Sequence, residues 1–201
     1  MSGRVRVWCL RHGESQNVLD AVAGAVPSAP LTERGHEQAA LAARTLAGEP
    51  IAAVYSSAAV RARQTAQPLA TAAGVEIRAL SDLVEAGVGR HDGSNDPGIR
   101  REAADVLRAW AVDNDLARQV ADGESGFVVA ARMGRVFQAI ASQHAGETVA
   151  VVGHVASLTV AIGQLCAPEA VVWGTPLPHA IPFLLEWDGS GWRCPAWPEA
   201  A

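Results

Sequence analysis

Apolar runs of strand length alternate with helix-length segments along nearly the whole chain, and this alternation narrows the fold more than any other feature. Residues 5–10, 51–55, 75–80 and 148–152 read as strands. Residues 32–46, 60–73, 99–117, 126–144 and 156–166 read as helices. Thr32 stands where a helix N-cap is needed, and Gly48 and Gly74 stand where helices stop. Residues 85–98, rich in glycine and polar side chains, read as loop. The segments 181–187 and 191–194 around Asp188-Gly189-Ser190-Gly191 predict a closing hairpin. The expected class is therefore α/β, a three-layer α/β/α arrangement with a largely parallel central sheet. A chain of 201 residues suits one domain, with about 86–125 expected to contribute a small cap or lid.

Composition removes several function classes. Hydrophobic residues make up 49% and charged residues 18%, enough to bury a core. The net charge of −5 gives no pull toward nucleic acid or an anionic membrane, so neither is expected as a partner. All 16 basic residues are arginine, so a single arginine carries little functional information by itself. Cys9, Cys166 and Cys194 are odd in number and show no metal-ligand spacing. Reduced thiols, a cytoplasmic location, no metal and no cofactor are the expectation. The first ten residues are too short and too charged for a signal peptide, and no apolar stretch approaches a membrane span.

Two of the strand-like runs break at a histidine: "CLRHGES" (9–15) and "VVGHVAS" (151–157). In a parallel sheet, ligands bind outside the carboxyl ends of the strands. Neighbouring strands would thus deliver His12 and His154 to one crevice. Arg11 brings a planar fork of donors suited to phosphate, and Gly13 lets the backbone turn tightly. A neutral histidine beside such a clamp can attack phosphorus. After the second strand come Ser56-Ser57 and then Arg61, at a helix N-terminus whose amides favour anions. Glu85 follows the third strand as a candidate proton donor. Taken singly, each has a plainer reading: a loop histidine is normally at the surface, and a lone glutamate normally solvated. The order in which successive strand ends present them carries the functional reading.

With these residues in hand, the chain resembles the histidine phosphatase superfamily, the phosphoglycerate mutase-like fold. "LRHGES", "PLTERGHEQA", "SSAAVRARQTA", "LVEAGVGRHDG", "DGES" (122–125) and "VAVVGHVASL" match that family's motifs in order. The resemblance implies that His12 is the nucleophile and forms a phosphohistidine. It implies that Arg11, Arg61 and His154 hold the phosphoryl oxygens, with Asn17 and Val155 among the phosphate- and substrate-binding residues. Glu85 would protonate the leaving oxygen and then activate water. Two departures stand out. Val18 occupies a position where many relatives carry Asn, with Asn17 one residue earlier. The glutamate motif closes on His91-Asp92-Gly93 instead of the usual aromatic-acid-glycine.

The expected function is a metal-independent phosphatase acting on a small-molecule phosphomonoester, with a homodimer allowed. One alternative is phosphoryl transfer of the phosphoglycerate mutase type, for which Arg90, Arg100 and Arg101 supply candidates to bind a second anion. The other is a non-catalytic phospho-ligand binder on the same fold. The rim is expected from residues 18–30, 87–98 and 173–179, where His91 contacts substrate or stays a surface residue, and His179 contacts it or caps a turn.

Overall fold

A computed structural model of the chain describes residues 3–166 and 176–198. Six strands form one sheet: β1 Val5–Arg11, β2 Ile51–Ser57, β3 Ile77–Leu80, β4 Thr148–Gly153, β5 Phe183–Trp187 and β6 Trp192–Arg193. Their order is β3-β2-β4-β1-β5-β6. The first four in that order run parallel, and β5 and β6 add an antiparallel edge. Between them lie α1 Gln16–Leu19, α2 Glu33–Thr45, α3 Val60–Ala73, α4 Pro97–Ala111, α5 Gly126–Gln143 and α6 Val155–Cys166.

Strand alternation divides the core into two layers. Val149 and Val151 of β4 face Met133, Phe137 and Ile140 of α5 and Leu158 of α6. Ala150 and Val152 face Ala42 of α2 and Ala62, Ala66 and Leu69 of α3. Every residue of β4 is buried, as expected of a strand covered on both faces, and this is why it reads as an unbroken apolar run. The three-layer α/β/α arrangement expected from the alternation is the one observed. No helix among the described residues is long and apolar enough to cross a membrane.

The local signals act as anticipated at several element ends. Thr32 caps α2, its Oγ1 accepting from the Gly35 amide at 3.0 Å. A cap of this kind is worth about 1 kcal/mol relative to alanine. Gly74 closes α3 with φ of 69°, a left-handed conformation that costs glycine little. Three elements differ from expectation. The third strand begins at Ile77, because the Val75 amide is still bonded to Ala70 O in the closing turn of α3. The helix expected over 99–117 runs instead from Pro97, capped by Asp96, to Ala111. Asn114 follows at φ of 52°, and a backbone turned that way cannot continue a right-handed helix. The short α1, one turn long, offers no apolar period to read.

Candidate active site

The strand order β2-β4-β1 sets three carboxyl ends side by side. His12 is the first residue after β1, and its amide donates to Gly153 O at the end of β4 at 3.0 Å. The residue after Gly153 is His154, and the two imidazole centroids lie 5.1 Å apart. Arg61, in the first turn of α3 beyond β2, reaches both rings: Nε donates to His12 Nε2 at 3.1 Å and Nη2 to His154 Nδ1 at 3.2 Å. The paired histidines and two arginines expected at one crevice are therefore brought together.

Hydrogen bonds fix the tautomer of each ring. His12 Nδ1 lies 2.7 Å from Gly13 O, and a carbonyl only accepts, so Nδ1 carries the proton and Nε2 keeps its lone pair. His154 accepts at Nδ1 and donates from Nε2 to Ser57 Oγ at 2.8 Å. Both rings are almost wholly buried, at 3% and 0% exposure. Burial first, then the neighbouring charged groups, holds each well below the ordinary 6.5, so both are neutral near pH 7.

Backbone packing explains the neighbouring motif. A Cβ on Gly13 would strike Gly35 O, and one on Gly35 would strike Glu14 O, so the turn after β1 and the start of α2 meet backbone to backbone. Thr32 Oγ1 donates to Glu14 Oε1 at 2.8 Å and Gly13 N donates to Thr65 Oγ1 at 3.0 Å. The "PLTERGHEQA" segment is thus the support of the His12 turn.

The donors that surround the rings suit an anion. Arg11 Nη1 donates to Leu177 O at 2.9 Å, while its buried Nε has no partner among the described residues. Burial above all, with Arg61 adding to it against Glu85, lowers its guanidinium to about 10, still protonated at neutral pH. Ser15 Oγ donates to Asn17 Oδ1 at 2.8 Å, which leaves the Nδ2 hydrogens as the donors of this cavity-lining side chain. His179 Nδ1 donates to His12 O at 2.9 Å and its ring centroid lies 5.7 Å from that of His12. It buttresses the turn and does not line the cavity. Val155 does line it.

Glu85 reaches the same place from another element. Its carboxylate accepts from the Ser157 and Ala156 amides at 2.9 and 3.2 Å, which places it at the N-terminus of α6, directly after His154. Its backbone is held by a residue that the sequence pattern does not reveal. Arg132 of α5, 7% exposed, donates to Asp82 O, Val84 O and Glu85 O. The same guanidinium meets Glu124 in a two-pronged pair at 2.8 and 2.9 Å, and Glu124 also accepts from the Gly87 amide. The "DGES" segment contains Glu124, but its partner eight residues later lies inside an ordinary-looking helix.

A cavity of about 760 Å³ opens from this floor, lined by Arg11, His12, Arg61 and Glu85 at one end and by α4 at the other. Of the three arginines considered for a second anion, only Arg100 lines it. Arg90 is paired with Asp122 at 3.5 Å, and neither Arg101 nor His91 is in the lining. The rim expected over 18–30 and 87–98 supplies Val18, Val22, Gly24, Gly87 and Val88. In the third rim segment, Pro176 is in the lining, while residues 173–175 lie outside the described residues. Among the described residues no group of three or more His, Cys, Asp or Glu side chains is placed to hold a metal.

A largely parallel α/β sheet with two neutral histidines, the buried Arg61 and the half-buried Arg11 at its carboxyl edge forms a cluster suited to an anion around an imidazole lone pair. The profile of the histidine phosphatase superfamily (branch 1) matches residues 7–200, and the chain belongs to that family. It is 26% identical over 171 residues to an adenosylcobalamin/alpha-ribazole phosphatase of Escherichia coli, covering 84% of this chain and 83% of that protein. It is 29% identical over 162 residues to a probable phosphoglycerate mutase of Photorhabdus laumondii, covering 80% and 74%. Among solved structures, a mycobacterial glucosyl-3-phosphoglycerate phosphatase superposes with a TM-score of 0.80 at 27% identity, covering 98% of this chain and all of that one.

Proposed function

We propose that the protein is a metal-independent phosphatase that hydrolyses a small-molecule phosphomonoester through a phosphohistidine on His12. One observation carries the reading: the Gly13 carbonyl holds the His12 proton on Nδ1, which leaves the lone pair on Nε2, the atom that would attack once Arg61 turns from it to the phosphate. Arg11, Arg61 and His154 would surround the phosphoryl oxygens, and Asn17 would add its amide hydrogens. Donors already aimed at the developing charge are the largest usual contribution to such a reaction.

In the first step the Nε2 lone pair forms a bond to phosphorus as the bond to the ester oxygen breaks. Glu85 gives its proton to that oxygen, which leaves as the alcohol. In the second step Glu85 takes a proton from water as the water oxygen attacks phosphorus. The N–P bond breaks, inorganic phosphate leaves and His12 returns to its neutral form. Transfer to a second phospho-acceptor, as in a mutase, would need a further anion site. Among the described residues Arg100 is the one unpaired cation in the cavity lining away from the floor, which supports hydrolysis over transfer.

The test is to mix the purified protein with an aryl phosphate, quench in base and search the peptide containing His12 for bound phosphate. Phosphate on His12, together with a loss of turnover of at least ~10³-fold in folded His12→Ala, is the expected result. Hydrolysis by folded His12→Ala at the wild-type rate would overturn the assignment.

A further inference from the structure

The floor addresses the phosphoryl group, and the far wall of the cavity addresses what the phosphoryl group is attached to. About 760 Å³ falls in the range of roughly 300–1,000 Å³ that suits whole drug-sized ligands, far more than a phosphoryl group fills. Arg100, Ala103, Ala104, Leu107 and Trp110 of α4 all line it, a spacing that puts them on one helix face. Trp110 spends its indole N–H on Arg118 O at 2.8 Å, so what it offers the cavity is ring surface. Val18, Val22 and Val88 also line it.

The charges of this wall are almost all spent. Glu124 is in the lining, but both its oxygens are occupied by Arg132. Arg90 is bound to Asp122 and stays out of the lining. Arg100, exposed at the N-terminal end of α4, remains. Thr159 and Asn17 also line the cavity, but a sugar placed against the Ala103–Leu107–Trp110 face would bury hydroxyl groups without partners there, and each one costs roughly tenfold in affinity.

We infer that the leaving group is a predominantly apolar alcohol, an alkyl chain or a ring system, seated on the Ala103–Leu107–Trp110 face of α4, with at most one anionic substituent, placed for Arg100. This rests on the phosphatase reading above and adds the substrate class to it. Leu107 and Trp110 act as specificity residues and take no part in the bond changes.

A series of n-alkyl phosphates from ethyl to octyl separates the two readings. Beyond the shortest members, these alcohols differ little in leaving-group acidity, so the trend in kcat/KM reads burial. The expected rise is about fourfold per methylene group until the wall is spanned. Octyl phosphate should exceed glucose 6-phosphate by at least ~100-fold. In Leu107→Asn the rise per methylene should fall to about twofold or less. A flat series, a preference for the sugar phosphate, or an unchanged slope in folded Leu107→Asn would overturn the apolar-alcohol inference and leave the phosphatase reading standing. Should Leu107→Asn not fold, the wild-type slope decides alone. No turnover of any ester, with no phosphate trapped on His12, would overturn the phosphatase reading and this inference with it.

Discussion

At the sheet end of the cavity, His12, Arg61 and His154 are at most 3% exposed, and backbone carbonyls of three separate segments hold His12, Arg61 and the neighbouring Arg11. Gly13 O takes the His12 proton, Ala25 O and Val26 O take Arg61, and Leu177 O takes Arg11. At the α4 end, Arg100 and Ala104 are exposed, and the lining side chains are held by apolar packing. Buried polar groups must be placed well, because an unpaired one is costly. Apolar side chains tolerate exchange at similar volume for less than about 1.5 kcal/mol. Under the proposed function the difference teaches a division of labour: reaction chemistry would be fixed at the floor, and substrate choice left to a wall that can be altered without disturbing it.

Glu85→Gln gives the sharpest test of that division, because Glu85 sits where the two regions meet. The amide keeps the size of the side chain but cannot exchange a proton at ordinary pH. Alkyl phosphate hydrolysis should fall by roughly 10²–10⁴-fold. Phosphorylation by an aryl phosphate should fall much less, since its oxygen needs little protonation. Rapid-quench measurement should then show a burst of phenol followed by slow turnover. Equal defects in the phosphorylation step for both esters would remove Glu85 from the role of acid.

Glu124→Gln probes the strut between floor and wall. The variant keeps hydrogen-bonding capacity but leaves the buried Arg132 charge without its counter-charge. The Glu85 backbone held by that arginine should loosen. A fall of about tenfold in kcat with KM little changed is expected, with stability lower by about 1–2 kcal/mol once the partial exposure of Glu124 is allowed for. A change confined to KM would place Glu124 in the wall alone.

The smallest effect concerns pH. His12 and His154 are held well below 6.5 and His179 is lowered to about 4, in each case by burial first. The unfolded chain therefore binds protons at these positions in a range where the folded chain does not. Their contribution to stability is complete above about pH 6.5 and is lost as pH falls from there toward 4, the window set by His179. Thermal unfolding should show a level Tm above pH 7 and a decline of a few degrees below 6.5. The decline should be shallower in His179→Asn. A Tm that rises as pH falls through 6.5 would contradict the neutral floor.

The same contrast decides what can be read from the chain before its structure. Arg11-His12-Gly13, Ser56-Ser57 with Arg61, and Gly153-His154 are legible because each lies at the end of one strand, where the break in an apolar run marks it. The sheet is legible for the same reason, through the unbroken burial of β4. Leu107 and Trp110 are not, since their helical spacing is that of any core-facing helix and nothing distinguishes a cavity wall from a core. Arg132 is hidden likewise: its function comes from carbonyls 47 to 50 residues away, a relation no local pattern carries. Asn17 sits on a helix too short to show a period, so its position does not announce its orientation.

The bond from Arg61 Nε to His12 Nε2 has a consequence for reagents as well as for substrates. The lone pair assigned to the attack is occupied as an acceptor, and the group occupying it is a cation. An uncharged acylating or alkylating reagent brings nothing that would draw the guanidinium away, so it meets a masked nitrogen. A proton is repelled by the same charge. A phosphoryl dianion brings acceptor oxygens of its own, to which Arg61 can turn its N–H groups as the imidazole is released. On the proposed mechanism the attacking atom is thereby guarded by a lock that anions open, and selectivity for phosphate would begin before any bond to phosphorus is made.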